Sequence, residues 1–307
     1  MMRITATAVL AASALLGACS APSSTSVANK KPVVVASSSI VGDFIQQLAG
    51  DYIELVVLVP NRVDTHTYEP APSELRALED AALVVLPDRD LNISIAQVVG
   101  LAVNTTRVLD LNAAALTSKD YVYREPSTST GRNVHTWTDP TLAAKWVAPL
   151  ALRLSDMLPV YADDIERRAT DLSKSLTSLD TTMRAAVAKL PAASRKFVVY
   201  HDAWQYFGRQ YGLDVIGALQ AVSFAEPSAS EVAKMADQIR AEQVPAFFGS
   251  EVFPSDVMET LERESGSRYV PGLADDALPG SPGEANHTYV AMMLDNIDLI
   301  ISGLSGA

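Results

Sequence analysis

The sequence predicts an α/β protein with two lobes built on parallel sheets and joined by one long rigid helix. Three observations carry this reading. Short β-branched runs alternate with helical patterns through both halves of the chain, as βα units require. The middle of the chain holds an apolar repeat of helical period, uninterrupted by glycine or proline. With 307 residues, 48% of them apolar, there is enough chain for two cores of roughly 120–150 residues each.

The elements follow in order. Met1-Met2-Arg3 precedes an uncharged run, Ile4 to Ala18, and then Cys19. A basic start, a short apolar run and small residues before a cleavage point describe an export signal over residues 1–18, too short and wrongly flanked for a membrane span. Leu16-Gly17-Ala18-Cys19 resembles the lipobox of bacterial lipoproteins, which makes Cys19 the expected lipidation site. Residues 19–32, rich in Ser, Ala, Thr, Pro and Lys, cannot pack a core and read as a lipidated tether.

An N-terminal lobe is expected over 33–160, with strands at Val33–Ser37, Ile53–Val59, Ala82–Pro87 and Arg107–Asp110. Asp139-Pro140 supplies an N-cap followed by proline at the first helical position. A linking helix is expected over 161–190. There Tyr161, Ile165, Ala169, Leu172, Leu176, Leu179, Met183, Val187 and Leu190 recur at spacings of three and four, with charged residues on the other faces. So long a helix between α/β lobes is a stiff connector that limits hinge motion. A coiled-coil dimer is the alternative use of such a stripe, but a monomer is expected. The C-terminal lobe, 191–307, has strands at Lys196–Tyr200, Asp214–Ala218, Ala246–Gly249 and Ser267–Val270. Ser228-Ala-Ser-Glu231 reads as a capping box. Gly266–Gly283, with four glycines and three prolines, has the composition of a loop and not of a strand or helix.

Composition narrows the function. Lys plus Arg number 24 against 36 Asp plus Glu, for a formal charge of −12. Nucleic acid is thereby a poor partner, because phosphate contacts need clustered basic residues. A single cysteine excludes a disulfide framework, thiolate zinc sites and iron–sulfur clusters. Any metal must be held by nitrogen and oxygen. The chain has four histidines. Three of them, in Asp64-Thr-His66-Thr-Tyr68-Glu69-Pro70, Asn133-Val-His135-Thr-Trp137-Thr-Asp139-Pro140 and Tyr200-His201-Asp202-Ala-Trp204, sit where a strand or loop meets the start of a helix. Ligands of open α/β sheets bind beyond the carboxyl ends of the strands. Two histidines from one lobe and one from the other can therefore meet in the crevice between lobes, with Trp137 and Trp204 close by. Three neutral imidazoles nearly complete a zinc sphere. His287 echoes the His-Thr-aromatic pattern but opens the last helix, where a capping or exposed role is expected.

These motifs, with Glu226-Pro227-Ser228, Phe248-Gly-Ser-Glu251 and Ala274-Asp275-Asp276-Ala277-Leu278, resemble the solute-binding lipoproteins of zinc and manganese ABC importers from about Val33 to Leu304. The resemblance implies two Rossmann-like lobes bridged by a rigid helix, a single metal in the cleft, and no enzymatic activity. It implies His66, His135, His201 and Asp276 as ligands, with Asp275 in a supporting position or in solvent. Glu251 matches a recurrent glutamate that would orient a ligand imidazole, or stand as a plain strand-end carboxylate. Manganese-preferring relatives commonly carry glutamate where His201 stands, and three nitrogens with one carboxylate suit tetrahedral zinc, so Zn2+ is favoured over Mn2+. The resemblance also implies an ABC transporter permease as partner and a lipid anchor at the cell membrane, facing the periplasm or exterior. The histidine-rich loop of many zinc-binding relatives is missing from Thr117–Asn133, which leaves open a metallochaperone partner. The fourth ligand, riding on Gly266–Gly283, is expected to be mobile. An exported zinc hydrolase would need an open coordination position and a general base. A chelate binder would need a roomy pocket.

Overall fold

The computed structural model describes residues 1, 30–123, 131–220, 226–252 and 256–306. The expected leader beyond Met1, Cys19 and most of the tether lie outside the described residues. Four strands, β1 (Val33–Ala36), β2 (Glu54–Val57), β3 (Leu83–Leu86) and β4 (Val108–Asp110), form a parallel sheet in the order β2-β1-β3-β4. Four more, β5 (Lys196–His201), β6 (Asp214–Gln220), β7 (Ala246–Ser250) and β8 (Arg268–Leu273), form a second parallel sheet in the order β6-β5-β7-β8. The strands fall where the β-branched runs predicted them. The same order occurs twice although the sequence shows no repeat. In both sheets the winding reverses beside the first strand, which leaves a crevice at the carboxyl ends.

The connector is the helix Ala162–Ala188, 27 residues, or about 40 Å at 1.5 Å per residue. Asp163 and Asp164 in its first turn suit the positive end of the helix dipole. Ile165, Leu172, Leu176, Leu179, Met183 and Val187 are buried in one hydrophobic cluster with Phe44 and Trp146 of the first lobe and Phe197, Phe248 and Ile300 of the second. The lobes thus share a core through this helix, and residues 31–307 form one compact unit. The outer sheet faces are covered separately. Val35, Leu78 and Val84 pack on one, and Val198, Val232 and Phe247 on the other.

The local signals took the roles their chemistry suggests. The Asp139 carboxylate accepts from the Thr141 amide ahead of the helix Pro140–Lys145. Ser228 and Glu231 form a reciprocal capping box on Ala229–Glu242. One expectation needs correction: Gly266–Gly283 is not all loop, because β8 runs through Pro271 and Gly272 to Leu273. This strand lies at the sheet edge, where the missing proline N–H breaks no ladder. Among the described residues no helix is long and apolar enough to cross a membrane.

Because one cluster spans both lobes, we expect a single cooperative unfolding transition. Leu176→Ala should lower its free energy by about 2–5 kcal/mol, measured by urea denaturation followed by circular dichroism. Two separated transitions would show that the helix does not unite the lobes.

Candidate metal centre

His66, His135 and His201 come together: one ring nitrogen from each lies within 4.8 Å of the others. His66 stands in the loop after β2. Asp64 shapes that loop, one carboxylate oxygen accepting from the His66 amide (2.9 Å) and the other from the Thr67 hydroxyl (2.8 Å). The Asn92 side-chain amide fastens the loop by donating to the carbonyls of Thr65 and Tyr68. His135 follows the same plan: the Oδ1 of Asn133, two residues before it, accepts from its amide at 3.0 Å. Asn133 in turn donates to the Asp202 carbonyl and accepts from the Tyr206 hydroxyl through its own carbonyl, tying His135 to the second lobe. His201 ends β5.

The hydrogen bonds fix which nitrogen each ring presents. His66 Nδ1 lies 3.0 Å from the Leu91 carbonyl, which can only accept, so Nδ1 carries the proton. His135 Nδ1 lies 2.9 Å from Asn133 Oδ1, whose identity is set by the amide it also accepts from. His201 Nδ1 donates to the Asp275 carboxylate at 2.6 Å. Each Nε2 is left as the lone-pair atom, and those of His66 and His135 stand 2.9 Å apart. Two neutral lone pairs at that distance repel unless a cation or a proton comes between them. Metal-ligating histidines are usually oriented through the other ring nitrogen in this way.

The aspartates reach the site on the segment after β8. The sequence suggested a mobile support, but the structure holds this segment from every side. Glu251 Oε1 accepts from three successive amides, those of Asp275, Asp276 and Ala277, at 3.2, 3.1 and 2.9 Å. Asn296 brackets Ala274 through both its N–H and its C=O. Asn61, from the first lobe, does the same for Leu278. The Trp137 indole donates to the Asp275 carbonyl at 2.7 Å. Asp275 is wholly buried, not in solvent, and it is the carboxylate beside an imidazole, whereas Glu251 supports the backbone that carries it. Asp276 is 6% exposed, and its Oδ2 has no hydrogen-bond partner among the described residues. It gathers with Asp64 and His66 in a second group of donors.

Burial raises the proton affinity of all these acids. Glu251 is pushed up to about 8 by desolvation and by the charge of Asp275, and Asp275 up to about 7 by desolvation. Asp276 is held well above the carboxylate range by burial and by repulsion from Asp275, Glu251 and Asp64. A dication among these groups would relieve both the repulsion and the facing lone pairs. Of the remaining sequence candidates, Trp137 packs edge-on against His135, with ring centroids 5.1 Å apart. Trp204 is buried against Phe207. His287 Nδ1 donates to the Pro279 carbonyl near the start of the last helix, apart from the histidine cluster. Asp64 and Asn133 were not assigned roles from sequence, although the shared Asx-x-His spacing is the signature of the turn they make.

Two outcomes test this description. Glu251→Ala, which frees three amides, should weaken metal affinity by on the order of 10- to 100-fold, while Glu251→Gln, which keeps the acceptor, should stay near the parent in isothermal titration. The metal-free protein should also lose stability as pH rises from about 5, just above the unfolded carboxylate range, to about 8, where Glu251 itself ionises. In that window the folded state holds protons on Asp275 and Glu251 that the unfolded chain has already released. Chelator-treated protein with rising stability across the window would contradict the buried-acid description.

The comparisons with known proteins agree with the geometry. A family profile described as the periplasmic component A of zinc-uptake complexes matches residues 34–303. The zinc-binding protein TroA of Treponema pallidum is 29% identical over 284 residues, covering 91% of this chain and 90% of its own length. The manganese-binding lipoprotein MntA of Halalkalibacterium halodurans is 27% identical over 272 residues, covering 89% of this chain and 88% of its own. The solved structure of the periplasmic zinc-binding protein TroA superimposes with a TM-score of 0.82 at 27% identity, over 89% of this chain and 99% of that one. A manganese-bound periplasmic metal-binding protein from Candidatus Liberibacter asiaticus shares the fold, with a TM-score of 0.78 at 19% identity over 89% of this chain and 100% of its own.

Proposed function

The chain belongs to the family of the periplasmic component A of zinc-uptake complexes, the metal-binding receptors of ABC importers rather than enzymes, and from that premise we propose that its cargo is zinc. His66, His135 and His201 supply three nitrogens, and Asp276 supplies a carboxylate oxygen. The observation that carries the reading is the pair of Nε2 atoms 2.9 Å apart, each with its Nδ1 proton committed to an acceptor. Buried imidazole nitrogens in this number favour a tetrahedral ion, and zinc stands above manganese in the general affinity order.

Manganese is the second reading. It is favoured by the names of several relatives and by the extra oxygen donor that Asp64 brings beside His66. Delivery to an ABC permease, and anchoring through a lipid on Cys19, extend the roles of those relatives, several of which are named lipoproteins. On this reading the protein works outside the cytoplasmic membrane as a monomer.

Isothermal titration of metal-free protein with zinc and with manganese separates the readings. We expect one zinc per chain, bound on the order of 100-fold or more tighter than manganese, and a large loss of affinity in each of His66→Ala, His135→Ala and His201→Ala. Equal or tighter manganese binding would overturn the zinc assignment. Absence of binding to either ion would overturn the receptor reading.

A further inference from the structure

Two groups of donors share His66. The inner group is His66, His135 and His201, and the outer group is Asp64, His66 and Asp276, with the donor atoms of each group lying within 4.8 Å of one another. The groups differ in chemistry, one all nitrogen and the other mainly carboxylate oxygen. They also differ in depth. His135 and His201 are 1% and 4% exposed, whereas Asp64 and His66 are half-buried, so the solvent side of the centre is the Asp64 side. Asp276 spans the gradient. It is 6% exposed, and its unpartnered Oδ2 makes the outer group more than a cluster of surface acids.

We propose that Asp64, His66 and Asp276 form an outer metal site, a hand-over position through which a divalent cation passes between solvent and the three-nitrogen site. The inference rests on the receptor reading above. A hydrated dication resists losing all its waters at once. Carboxylate oxygens replace those waters most readily, as hard donors whose charge offsets the loss of hydration. Because His66 belongs to both groups, the ion can exchange one donor at a time, Asp64 giving way as His135 and His201 engage. Entry and exit use the same steps in opposite order. The aspartate segment need not open, in keeping with the bonds from Glu251, Asn61 and Asn296 that hold it. Asp64 then governs how fast metal is gained and lost, not how tightly it rests.

The test is Asp64→Asn in the full mature chain. Asparagine keeps a carbonyl oxygen for the His66 amide, so the turn is retained while the charge is removed. Stopped-flow association of zinc chloride, and its extraction by excess chelator, are read in about 1 M salt, where the screening length is about 3 Å and distant charges no longer steer the ion. Both rates should fall at least about fivefold while the equilibrium constant moves less than about threefold, because a transit site alters the barrier from both sides. Glu69→Gln, which removes an exposed charge in the same loop, should show parental rates. Parental rates in Asp64→Asn would overturn the proposal. So would a loss of affinity with association unchanged, which would make Asp64 a ligand of the resting ion. If the parent itself binds no zinc or manganese, the receptor reading fails and this inference falls with it. Parental binding with an unaltered Asp64→Asn variant defeats the inference alone.

Discussion

The centre depends on holding three imidazoles with their Nδ1 protons turned outward. Each ring is anchored to an acceptor that is itself fixed: a backbone carbonyl for His66, the Asn133 side chain for His135, and the Asp275 carboxylate for His201. With those protons committed, the Nε2 atoms keep their lone pairs, and those of His66 and His135 face one another at 2.9 Å. The energetic conflict this creates is local and electrostatic, and a cation resolves it. Remove any anchor and the ring can rotate or change tautomer, so the arrangement is only as good as the elements that carry the acceptors.

Those elements are the carboxyl ends of two parallel sheets with the same strand order. Parallel strands place all their following loops on one edge, which is why residues separated by more than a hundred positions meet there. The long helix keeps the two edges in register by sharing one apolar core with both lobes. Hinging the lobes apart would expose that core. Cross-lobe bonds from Asn61 to Leu278 and from Trp137 to Asp275 add directional constraints at the site itself. An ion enters and leaves a framework of this kind most economically by exchanging ligands, not by moving domains.

The acids complete the balance. Three carboxyl groups, those of Glu251, Asp275 and Asp276, are drawn into a region with little water, and each is pushed toward its protonated form. Glu251 recovers part of this cost by accepting three amides at once, and Asp275 by pairing with His201. Asp276 Oδ2 recovers none of it from the described residues. A buried polar atom without a partner is expensive whether or not its group is charged. Its presence beside His66 is the clearest physical sign of where a dication belongs.

Much of this was legible in the sequence, because it rests on local chemistry. The eight strands, the linking helix and the caps at Asp139 and Ser228 follow from periodicity and hydrogen-bonding residues that act within a few positions. The three histidines were visible because each stands at a junction before a helix. The tertiary structure alone decided what depends on distant partners. It put Asp275 against His201 while its neighbour Asp276 turned to His66 and Asp64, since the chain bends at both residues and turns their side chains apart. It gave Glu251 to the backbone after β8, and it extended β8 through a stretch whose glycines and prolines read as loop, because an edge strand tolerates them. It also tied the aspartate segment, which composition marked as mobile, to bonds from Asn61, Trp137, Glu251 and Asn296. Those four residues lie on four separate parts of the chain. Only folding brings them to one place.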